Sequence, residues 1–253
     1  MSNYKRTLFL MTVVLVVAVS TAISALPRNE LYSPGSDGQK TLDRQQEAED
    51  NVIPIVDFDS PEPSDHNERA KRRKKSARYD GGFFVRKDDA TGSAVESSLV
   101  SEWELGLPAL PASQSEVVII GEVVEGKAHL SNDKTGIYSE FTTRIEKLFK
   151  NSCPVALTSG EVISLERLGG IVRYSTGRKY RYRISGQNMP RRGGRYMFFI
   201  KMAQGGEGFS IITAYELKGG KVFPLDSAEQ FDTYKGVTET EFIEAVQGSV
   251  SRN

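Results

Sequence analysis

The sequence predicts a mainly β protein: an antiparallel barrel or sandwich with a short C-terminal helix, preceded by an export or transmembrane helix and a disordered linker. Three observations carry this. Strand-like runs recur between glycine turns at intervals of roughly 8–20 residues, which argues against alternating strand–helix units. One capping box, near the end, marks the only convincing helix of the folded part. The first third of the chain is either continuously apolar or strongly polar, and neither composition builds a soluble core.

Lys5 and Arg6 precede an apolar run from Leu8 to Val19, broken only by Thr12, and Ser20, Ala22 and Ser24 follow as small residues. A basic start, an apolar centre and small residues at a cleavage point form the layout of a secretory signal. Carried on to Leu26, the apolar stretch approaches the ~20 residues that span hydrocarbon. Residues 1–26 are therefore expected to be a signal peptide or a retained anchor, with residues 8–26 in the membrane if uncleaved. Either way the remainder is extracytoplasmic: secreted or periplasmic after cleavage, or anchored with the C-terminal domain outside.

From Arg28 to Glu68 there are three cations against eleven anions, so residues 27–80 are expected to stay a disordered charged linker. One apolar patch, Val52 to Phe58, is an alternative edge strand, though Pro54 disfavours a central one. Residues 69–78 then carry seven cations and no acid. Behind an export signal, nucleic acid is not the expected partner. Lys71 to Lys75 are instead open to anionic lipid, an envelope polymer or a basic-specific protease, or belong to a solvated run that pairs loosely with the acidic stretch before it.

Residues 85–253 read as the β domain, with its core in 115–225. Trp103 is expected to anchor an extended, proline-punctuated segment. The β-branched run from Glu116 to Val124 looks buried on both faces. Ile137, Phe141, Ile145 and Phe149 alternate with Glu140, Thr142, Arg144 and Glu146, as in a long half-buried strand. Glu161 to Leu168 and Ile171 to Tyr174 flank Gly169-Gly170, read as a hairpin turn or a bulge. Lys179 to Ile184, Arg195 to Met202 and Phe209 to Leu217 continue the series. Gly219-Gly220 then turns into Lys221 to Leu225. Thr238 and Glu241 make the capping box of a helix over 238–248, with Val237 as staple, Phe242, Ile243 and Val246 as its apolar stripe and Gly248 as its stop.

In Val118 to Val123, Tyr138 to Thr142, Gly169 to Arg173 and Gly194 to Phe199 the chain resembles uncharacterised bacterial exported β-barrel proteins. Those are OB-like and, more distantly, similar to the netrin/tissue-inhibitor-of-metalloproteinase barrel. The resemblance covers about residues 115–225. It implies an OB-like barrel and brings no catalytic residues. The inhibitors' zinc-chelating N-terminal cysteine has no counterpart here.

Composition excludes several chemistries. One cysteine and two histidines rule out an internal disulfide framework and leave little for a metal centre, so no cofactor is expected. Cys153 and His129 are the one thiol–base pair available to a sortase-like transpeptidase, although that family's strand motif around the cysteine is missing. Asn132-Asp133 lacks the further carboxylates of a calcium loop and fits a turn. Residues 167–195 hold nine cations and no acid. Alternation places Lys179, Arg181 and Arg183 on one face of a strand, where Arg173 and Arg195 join them if their strands are neighbours. Such a face suits phosphate, sulfate or carboxylate, or is an ion-paired surface whose acids come from elsewhere in the chain. The leading expectation is a non-enzymatic binding or envelope-associated module. The alternatives are a thiol transpeptidase and a polyanion-binding OB-like protein.

Overall fold

The computed structural model describes residues 53–252 apart from 83, 84, 93 and 94, and these belong to one compact unit. The expected export segment and the first half of the expected linker lie outside the described residues. Among the described residues no helix is long and apolar enough to cross a membrane.

Among the described residues ten strands fall into two sheets. In order they are β1 (Ile55–Asp57), β2 (Glu96–Leu99), β3 (Val117–Leu130), β4 (Ile137–Asn151), β5 (Val162–Leu168), β6 (Gly170–Arg173), β7 (Lys179–Ile184), β8 (Arg195–Met202), β9 (Phe209–Lys218) and β10 (Lys221–Pro224). Among the described residues the α-helices are α1 (His66–Ser76) and α2 (Glu239–Ser251). The larger sheet runs β10-β9-β5-β4-β3-β8, and β8 also pairs with β9, so β3, β4, β5, β9 and β8 close into a ring. All of its pairings are antiparallel except β5 with β9. This is the expected OB-like barrel, and closure removes the exposed edges an open sheet would present. The smaller sheet, β1-β6-β7-β2, is built on the β6–β7 hairpin inserted between β5 and β8.

Strand alternation decides which core each side chain joins. On β3, Val117, Ile119 and Val123 fill the barrel interior with Phe141, Leu165, Phe198 and Ile200. Val118 and Ile120 face outward under α2, with Met197, Phe199, Phe231, Phe242 and Val246. A strand between two cores is apolar on both faces, as the run from Glu116 suggests. Trp103 closes the second core by stacking on Phe231 at 6.0 Å and donating to the Ser185 carbonyl at 3.0 Å. The α2 cap is the reciprocal Thr238/Glu241 box, but the helix runs through Gly248 to Ser251.

Three further expectations are corrected. Phe149 does not share a face with Ile145. A bulge at Glu146 sets Lys147 opposite Ile120 and Ile145 opposite Gly121, so Phe149 joins the α2 core. Gly169-Gly170 is no hairpin but the corner where the chain leaves the barrel for the second sheet. Gly169 has φ of +105°, and a Cβ there would stand 2.6 Å from the Tyr182 carbonyl. Ahead of Trp103, β2 pairs in parallel with β7.

The largest correction concerns the linker. Residues 53–80 are ordered. β1 adds in parallel to β6, with Ile55 opposite Ile171, and Pro54 sits just outside it, its carbonyl accepting from the Ile171 N–H at 2.9 Å. Asp65 caps α1 by accepting from the Glu68 N–H at 2.8 Å, and Arg73, Lys74 and Lys75 sit in its last turn, where cations suit the helix dipole.

Candidate functional site: a cationic cleft between α1 and the barrel

Helix α1 buries little apolar surface, and only Ser76 on it is buried. Charge holds it in place. Glu140 on β4 and Glu166 on β5 are direct cross-strand partners, a like-charge pairing that opposes sheet formation unless neutralised. Lys75 reaches both, at 2.7 and 3.0 Å. Arg78 forks onto Glu166 at 3.0 and 2.8 Å, and the Tyr79 hydroxyl donates to the same carboxylate at 2.7 Å. The Glu166 side chain is fully buried under this cover.

Burial would raise the Glu140 carboxyl, but His129 and Lys75 beside it prevail and hold it at about 2. Burial beside Glu166 pushes the Tyr79 phenol far above its usual range. Tyr79 stacks on Tyr138 with centroids 4.1 Å apart, and burial pushes Tyr138 up to about 12.

The segment after α1 is pinned to the β3–β4 turn. Gly81 N–H donates to Asp133 at 2.7 Å, and the Val85 N–H donates to the Thr135 carbonyl at 3.0 Å. A Cβ on Gly136 would lie 2.3 Å from the Tyr79 carbonyl, so only glycine permits this approach. Asp133 also accepts from Ser131 and Thr135, bonds that pull its carboxyl well below the usual range. This is the turn chemistry expected of Asn132-Asp133. Among the described residues no cluster of His, Cys, Asp and Glu suits a metal ion.

Between α1, β1 and the far end of β3 lies a cleft of about 370 Å³, within the ~300–1,000 Å³ range of small-molecule sites. Five cations line it (Arg69, Arg72, Arg73, Lys127 and Lys134), with two carboxylates (Asp57 and Glu62) and His129. The carboxylates are engaged: Glu62 with Arg69 and Arg73, and Asp57 with Arg173, which holds the Asp57 carboxyl below its usual range. Lys134 is tied to the Phe58 carbonyl at 2.9 Å, and Lys127 to Glu125 at 3.0 Å. Arg72 is different. It is half-buried, it reaches His129 Nδ1, and no carboxylate is paired with it among the described residues.

The sequence-predicted sites are distributed otherwise. Arg173 does sit beside Lys179, its register partner, but it is paired with Asp57. Arg183 is paired with Glu96. Arg195 lies on the barrel, away from β6 and β7, between Glu146 and Glu239 at 2.5 and 2.6 Å. Lys179 and Arg181 flank these on β7 without Arg195. Arg173, Arg183 and Arg195 are thus each paired to a carboxylate, which favours the ion-paired reading of this face.

His129 and Cys153 sit at opposite ends of the β3–β4 ribbon, because Cys153 follows Asn151, the partner of Val117. That separation is roughly 40 Å along the strand at about 3.3 Å per residue. The thiol-enzyme pair is overturned, and Cys153 instead bonds Asn151 and the Val155 carbonyl.

Sequence reasoning missed α1 and with it Arg72, Lys75, Glu140 and Glu166. The signal was present in Asp65 and Glu68, a capping pattern three residues apart just before the basic run. No protein-family model matches the chain, and no curated protein matches it.

Proposed function

We infer that this chain is a non-enzymatic binding module acting outside the cytoplasm, and that the cleft between α1 and the barrel takes a small oxyanion: a sulfate, phosphate or carboxylate group. The observation carrying this is Arg72, a half-buried guanidinium facing a cavity with no carboxylate partner among the described residues. A guanidinium presents a planar fork matched to oxyanions. Arg69 and Arg73 add positive potential at the rim, and low-dielectric walls concentrate it. The anion preference expected on β6–β7 is thereby relocated to α1.

The test is calorimetric titration with sulfate at low ionic strength. The intact chain binds, and Arg72→Gln weakens binding by at least tenfold. Equal binding by the variant would refute the assignment. The extracytoplasmic part of the reading rests on the basic-apolar-small pattern of residues 1–26. It is tested by the mature N-terminus: cleavage near residues 22–26, or an intact anchor in the membrane fraction, supports it. An intact N-terminus on a cytosolic protein contradicts it.

A further inference from the structure

His129 lines the cleft beside Arg72, and the anion reading leaves it unused. Its two ring nitrogens face opposite charges. Nδ1 is met by the Arg72 guanidinium, and Nε2 faces Glu140 Oε2 at 3.5 Å, a charge contact with no hydrogen bond formed. Guanidinium only donates, so Nδ1 must accept, and the proton of the neutral ring then sits on Nε2 toward Glu140. A second proton would have to enter at Nδ1. There it removes the acceptor Arg72 uses and sets two cations face to face.

We propose that the cleft is a proton-coupled oxyanion site, in which protonated His129 and the Arg72 it releases jointly hold the anion. The inference rests on the oxyanion reading above. An anion between the two groups turns their repulsion into shared attraction, so anion binding favours the proton and the proton favours the anion. This reciprocity is required by linkage.

The surrounding charges agree with the direction. From α1, Arg69 and Arg73 face the cleft but are tied to Glu62, while Lys75 reaches Glu140 and Glu166 behind the ring. From β4, Glu140 faces Nε2, and Tyr138 packs against the ring with centroids 5.4 Å apart. From β3 and the following turn come Lys127 and Lys134, each already engaged, and from β1 comes Asp57, held by Arg173. Arg72 is thus the neighbour most opposed to protonation, and the anion is what neutralises it.

Sulfate is the probe, because its charge is constant between pH 5.5 and 8. Calorimetry in two buffers of different ionisation enthalpy reads affinity and proton uptake together. Affinity is expected to rise about tenfold as pH falls across that interval, with net proton uptake on binding. His129→Gln should still bind at pH 8 and lose the pH slope. The chain has only two histidines, so proton NMR of His66 and His129, assigned with His66→Gln, gives a second readout. Sulfate should move the His129 titration to higher pH and leave His66 in place. Wild-type affinity independent of pH, or a slope retained in His129→Gln, overturns the coupling while leaving the oxyanion site standing. Absence of sulfate binding at every pH overturns both.

Discussion

Replacing Glu166 with Gln perturbs the electrostatic seat of α1 while keeping the shape of the side chain. The buried carboxylate holds the two Arg78 bonds, the Tyr79 bond and half of the Lys75 bridge. Removing one partner of a buried ion pair costs about 3–5 kcal/mol, because the other charge stays buried and uncompensated. Two features lower that figure here. Lys75 keeps Glu140 at 2.7 Å, and the cross-strand repulsion between Glu140 and Glu166 disappears. Arg78 also has an exit to solvent if α1 lifts, so the loss cannot exceed the free energy of docking the helix. The expected result is about 2–3 kcal/mol, or roughly 4–12 °C in Tm for a domain of this size. Lys74→Ala, which breaks an exposed pair with Glu207 at 2.9 Å, is the control and should cost less than about 0.5 kcal/mol. Chemical denaturation reads the total, and amide exchange reads where it falls, with protection lost first across residues 66–79. Unchanged protection there with stability within about 0.5 kcal/mol of wild type would refute the claim that charge seats α1.

Three further outcomes follow from the same geometry. Arg167 and Asp226 form a buried pair with both bonds at 2.7 Å, and Asp226 also accepts from Asn188 and Thr213; Asp226→Ala should cost about 3–5 kcal/mol in urea unfolding. Gly169→Ala meets both the Tyr182 carbonyl and a positive φ, so it should destabilise by at least about 2 kcal/mol by thermal unfolding, whereas Gly160→Ala, with open space around it, should suffer the backbone term alone. Glu140 is held at about 2 against an ordinary 4.5, so its stabilisation is fully present above pH 4.5 and lost as pH falls through 2; acid unfolding of Glu140→Gln should lack that component, on the order of 2 kcal/mol.

The barrel was legible because its information is local. Period-two alternation in β4 and β7, the two-sided apolar run of β3 and the Thr238/Glu241 box each follow from residues adjacent in sequence. The Glu146 bulge was not legible, since one extra residue in a ladder leaves no mark in composition and still reverses the face of Phe149. The corner at Gly169-Gly170 reads like a hairpin until the partners of β5 and β6 are known.

The site was illegible for a related reason. Residues 69–78 look like a free basic run; Glu62, which pairs with Arg69 and Arg73, is close in sequence, but Glu140, Glu166 and Glu207, the partners of Lys74, Lys75 and Arg78, lie 65 or more positions downstream. Alternation marks Glu140 as polar and outward, which is correct, but not that a helix from the linker covers it. For the cations of residues 167–195 the sequence left an anion site and an ion-paired surface both open, because the carboxylates that pair with Arg173, Arg183 and Arg195 (Asp57, Glu96, Glu146 and Glu239) come from distant segments.

The most direct measurement is a crystal of the protein soaked in selenate, with the selenium located by its anomalous signal. The account predicts an ion between the Arg72 guanidinium and the imidazole of His129, stronger at pH 5.5 than at pH 8. Selenate bound only along β6 and β7, beside Lys179 and Arg181, with the α1 cleft empty at both pH values, would contradict it.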